Sequence, residues 1–115
     1  VHVAENEDFR QMVSASKQII DEEPEKFQNY CQKNDIEGFL SDICSAVCEG
    51  EYEFPQEHDK RYWQVQGNIE KEIFANYYSL VAFRDIQKLD FLQQNLPEVY
   101  ESCEKMKKQL LGEDD

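Results

Sequence analysis

The chain has 115 residues with 40% hydrophobic and 12% aromatic content, enough for one domain with a real core and too few for two. Its 25 acids against 12 bases give a formal net charge of -13, which works against nucleic-acid binding, because phosphate contacts need clustered Lys and Arg. No stretch reaches the ~20 apolar residues of a membrane span and no charged-then-apolar signal segment opens the chain, so no membrane association is expected.

Phe9, Met12, Val13, Ile19 and Ile20 recur at roughly helical spacing in a polar background, predicting an amphipathic first helix that ends before Pro24. Pro24 is placed to open a short second helix, with Phe27, Tyr30 and Cys31 as its buried stripe and Asn34 near its end. Ile36, Phe39, Leu40, Ile43, Cys44 and Val47 follow the apolar spacing of a third, central helix, and Gly50 supplies a stop. From Glu49 to Gly67 the periodicity disappears. Pro55, charged clusters and the pair Tyr62 and Trp63 indicate a long ordered loop that the two rings pin to the body.

Asn68 is the expected N-cap of a fourth helix running from Ile69 to about Phe83, with Glu70 and Glu72 in a first turn where the macrodipole favours acids. Asp85 can cap a fifth helix carrying Ile86, Leu89 and Leu92. Pro97 opens the last, with Val99, Cys103, Met106 and Leu110 inward and Lys105, Lys107 and Lys108 near its C-terminal end. Glu113, Asp114 and Asp115 are expected to fray. The most strand-like piece is Tyr52 to Phe54, and no alternating strand pattern or internal repeat accompanies it. The predicted fold class is all-α: a single compact domain of five or six helices with one long ordered loop.

The candidate chemistry centres on Glu72. At helical period it points close to Ile69, Asn76, Leu80 and Phe83, a face otherwise suited to burial, and a buried carboxylate needs a partner. The competing reading is a helix-terminal acid bonded to backbone or snorkelling to water. His58 stands in a charged loop, where it is either an ordinary exposed histidine or a ligand and proton carrier. Asp42 sits beside the apolar stripe of the third helix, positioned to cap or to bridge to the long loop. Cys31, Cys44, Cys48 and Cys103 match no common secreted disulfide framework and are read as reduced thiols. Cys44 and Cys48 are four apart on one helix, but thiolate zinc sites favour the closer Cys-x-x-Cys, so core packing is the expectation. Glu22, Glu23, Glu49, Glu51, Glu53 and Glu57 read as solvated surface.

The order GFLSDICSAV, HDKRYW, GNIEKEIFANYYSL and FLQQNLPEVYES, spanning roughly Phe9 to Leu111, resembles the C-terminal part of a zincin-like domain of the anthrax lethal factor type, found in Mu-type phage head-morphogenesis proteins and related bacterial toxins. The resemblance implies that Glu72 matches the glutamate completing a zinc site, that Asp42 matches an acid in the family's Leu-Ser-Asp turn, and that His58 and Tyr62 lie in a loop approaching the cleft. Asn76 stands where family members often carry Glu or His. Such a site takes three protein ligands, an open position for water and a separate glutamate as base, usually drawn from H-E-x-x-H. The chain has no H-E-x-x-H, and its only histidines are His2 and His58.

Two readings accommodate that departure. The chain, which opens on Val1, is a fragment starting just after the metal-binding helix, with His2 as the trailing histidine and zinc bound only when the upstream segment is present. Alternatively, the scaffold has lost its metal and serves to bind a protein. In either case the chain alone is expected to hydrolyse nothing. From a different functional class, a small acidic helical protein of immunity or adaptor type neutralises a basic protein partner through charge complementarity. The implied location is the bacterial cytoplasm or a phage particle.

Overall fold

The apolar spacing of α1 (Glu7–Glu22) buries Phe9, Met12 and Ile20 on one face, and the helix ends just before Pro24, whose ring cannot continue it. That proline sits in the first turn of α2 (Pro24–Asn34), which buries Phe27 and Cys31. α3 (Phe39–Cys48) is central: every residue from Ile43 to Cys48 is buried, and α1, α2 and α4 all pack against it. α4 (Asn68–Ala82) lies along α3 in the most extensive helix pair, burying Ile73, Tyr77 and Leu80. α5 (Ile86–Asn95) and α6 (Pro97–Leu111) pack against each other, joined through the fully buried Leu96. The Tyr77 hydroxyl donates to Glu104, itself 3.1 Å from Lys107 Nζ, which ties α4 to α6.

This computed structural model describes residues 7–55 and 58–112. Among them the chain is all-α, with six α-helices, one 3₁₀ helix (Lys60–Gln64) and no strand. Its radius of gyration of 13.2 Å is that of one compact domain, for which about 13 Å is expected at this length. No described helix is long and apolar enough to cross a membrane. The expectations for Glu113 to Asp115, Glu57 and His2 fall outside the described residues.

Several local expectations are corrected. Ile36 precedes α3 and is 83% exposed, because Gly38 in a left-handed conformation, not Ile36, opens the helix. Asp35, not recognised from sequence, is buried and accepts a 2.6 Å hydrogen bond from the Ser41 backbone N–H, satisfying an orphan donor of the first turn of α3. Gly67 rather than Asn68 precedes α4, and the Asn68 side chain instead donates to the Tyr62 carbonyl at 2.9 Å. Glu72 consequently lies in the second turn, past the reach of a first-turn cap. Tyr52 to Phe54 is not strand, and Leu110 is exposed near the end of α6, beyond the part of that helix that packs.

The long loop is fastened at both ends. At its start the Tyr52 hydroxyl donates to Asp21 at 2.8 Å, while Lys17 Nζ lies 3.1 Å from Glu51. Farther along, Asp59 accepts from the Arg61 backbone N–H at 2.8 Å and opens the 3₁₀ helix, which delivers Trp63, only 3% exposed, into the core. Both rings expected to pin the loop pack against the body, Tyr62 partly buried and Trp63 fully. Asp85 caps α5 as its spacing predicts.

Candidate metal centre

Three elements converge at one point. α3 contributes Asp42, the loop contributes His58 just before the 3₁₀ helix, and α4 contributes Glu72. One ligand-type atom from each lies within 4.8 Å of the others. His58 Nε2 is 3.2 Å from Glu72 Oε1, and the Tyr62 hydroxyl donates to Glu72 Oε2 at 3.1 Å. The buried-face acid singled out by spacing thus has partners, and they come from the loop. Asn76 approaches differently: its Nδ2 donates to the Glu72 backbone carbonyl at 2.8 Å, so it braces the main chain one turn on rather than offering a ligand to the trio.

Aromatic packing orients the histidine. The His58 ring stacks on Tyr62 at 3.9 Å with planes 13° apart, and Trp63 meets His58 edge-on at 5.4 Å and Tyr62 edge-on at 4.9 Å. A ring held on one face by stacking and on another by an indole edge has little rotational freedom, so Nε2 stays directed at the carboxylates. Side-chain exposures of 37% for His58 and 14% for Glu72 leave the centre open on the loop side, an entry path for an ion.

The charges in this cluster are poorly compensated. Burial, followed by the charge of Glu72, raises the Asp42 pKa from 3.8 to about 6, with His58 pulling it down and Asp35 adding a smaller upward push. Asp42 Oδ1 is buried with no hydrogen-bond partner among the described residues. Two carboxylates within 4.8 Å of one another repel by on the order of 3 kcal/mol at an effective dielectric of ~20. Burial, and then the hydrogen bond to Glu72, also raises the Tyr62 hydroxyl, which therefore stays a donor.

The donor set fits a divalent cation. Four ligands at ~2.1 Å around zinc are ~3.4 Å apart, close to the 3.2 Å between His58 and Glu72, and the Asp42 carboxylate lies within 4.8 Å of both. The thiols fit poorly. Cys31, Cys44, Cys48 and Cys103 are free and buried. Cys44 is pushed well up by its hydrogen bond with Cys31 and by burial, and Cys48 and Cys103 are raised by burial, so thiolate ligands are disfavoured. They are core side chains, as expected for free cysteine.

Neither periodicity nor motif spacing relates Asp42 on a helix to His58 in a loop, and in the sequence the two are named together only through the family resemblance. The signal that did point here was a carboxylate on an apolar helical face. No family model, curated protein or solved structure matches the chain.

Proposed function

We propose that this chain is a metal-binding helical module in which Asp42, His58 and Glu72 hold a divalent transition ion, zinc first. The observation that carries the reading is the convergence of an imidazole and two carboxylates, from three separate elements, within 4.8 Å. One nitrogen and two oxygens are an acceptable zinc set that leaves a fourth position for water, which bound zinc acidifies. Within the protein, Tyr62 holds Glu72 Oε2 and leaves Oε1 toward the centre, while the stacked rings aim His58. Both carboxylates of the trio are spent as ligands, so neither is left to take a proton from attacking water. The role that fits is binding: the ion fastens the loop to the α3 and α4 pair.

The zincin-like relationship is a proposal beside this one. There Glu72 waits for two histidines of an upstream H-E-x-x-H, whereas here the further donors come from the chain itself, so the metal reading stands without that segment. Calorimetric titration of the metal-free chain with zinc tests it. One ion per chain is expected, with affinity at least about tenfold weaker in Asp42→Asn, His58→Gln and Glu72→Gln and unchanged in His2→Gln. Equal binding by all four variants, each checked for helix content, would refute it.

A further inference from the structure

α1 and the segment following the loop do not close on each other. Between them lies a groove of about 400 Å³, within the range of ~300–1,000 Å³ typical of ligand sites. Phe9, Val13 and Ile69 line it, Trp63 walls it, and Val65, 56% exposed, stands at its edge. The groove shares no ligand residue with the carboxylate trio.

The charges around the groove are unequal in a way that selects an occupant. Lys17 is engaged by Asp21 at 3.0 Å and Glu51 at 3.1 Å, and Arg10 sits 4.0 Å from Glu7. Glu49 and Glu70, which also line the groove, form no ion pair among the described residues. Lys17 is answered at close range and Arg10 only loosely, while Glu49 and Glu70 are not answered among the described residues, on a protein of net charge -13. An anionic ligand is repelled, and a second copy brings the same net charge; a cationic apolar segment is attracted and can bury its side chains on the floor.

We propose that this groove binds a basic amphipathic segment of a partner protein, its apolar side chains against Phe9, Val13, Val65 and Ile69 and its Lys or Arg groups facing Glu49 and Glu70. A helix presenting apolar residues at i, i+3 and i+4 with flanking lysines has this pattern. The inference does not depend on the metal, so failure of one leaves the other standing.

Trp63 is the only tryptophan and therefore reports on the groove directly. The test titrates the full chain with a Trp-free amphipathic Leu/Lys peptide, its Leu/Glu counterpart and oligolysine at about 0.15 M salt, following Trp63 emission. The Leu/Lys peptide should bind saturably, shift the emission and outcompete both controls. Glu49→Gln combined with Glu70→Gln should weaken it about five- to tenfold, and Val65→Gln about fivefold. Both changes lie at the accessible edge of the groove, and helix content by circular dichroism confirms folding. Equal binding of oligolysine or of the Leu/Glu peptide, an unresponsive Trp63, or unchanged affinity in both variants would overturn the proposal.

Discussion

At Asp42 the metal-free chain holds a carboxylate against its chemistry. Its folded pKa of about 6 lies above its ordinary 3.8, so between these values the native state keeps a proton that the unfolded state has released. Stability therefore falls as pH rises through that window and stays lower above it. Asp42→Asn should accordingly stabilise the metal-free chain by about 1–2 kcal/mol at pH near 8 and have little effect near pH 4, measured as the difference between wild-type and variant urea midpoints. The same substitution should reduce stabilisation by zinc, so one residue trades stability for binding. Tyr62→Phe removes the donor to Glu72 Oε2 and should weaken zinc about tenfold, with only a small loss of stability, as calorimetry and melting would show.

The elements place these side chains through contacts that differ in how plainly the chain declares them. Gly50, at φ 75°, turns the chain out of α3, and an added Cβ would meet the Trp63 ring and the Lys60 side chain at 3.2 Å. Gly50→Ala should cost about 1–3 kcal/mol in urea denaturation and loosen the loop that carries His58. Asp35→Ala strips the Ser41 N–H of its buried acceptor at the start of the helix bearing Asp42, for a loss of about 1–2 kcal/mol by the same measurement. Helices α1, α2, α5 and α6 were legible because Pro24, Asp85 and Pro97 act locally and apolar spacing repeats over several turns. The start of α3 was misread because Ile36 continues the spacing by accident, while Gly38 and the distant cap Asp35 decide the boundary. Glu72 was legible as an anomaly on an apolar face. Its company with Asp42 and Tyr62 came only from the family resemblance and not from spacing, since it depends on how a loop without periodicity lies over two helices.

For the whole molecule, the proposed centre acts as a fastener between its least regular segment and its most buried helix pair. Zinc should slow amide hydrogen exchange from His58 through the start of α4 and leave α5 and α6 unchanged, because the ligands touch only α3, the loop and α4. The helical scaffold should stand without the ion, since its core of Phe27, Leu40, Ile43, Ile73, Leu80 and Leu92 is fully buried apart from the centre. The most direct test of the central claim is zinc-edge X-ray absorption on the one-to-one complex. A first shell of nitrogen and oxygen at ~2.0–2.2 Å, with an imidazole signature that disappears in His58→Gln, is the predicted result. Sulfur at ~2.3 Å, or an imidazole signature that survives in His58→Gln, would contradict it.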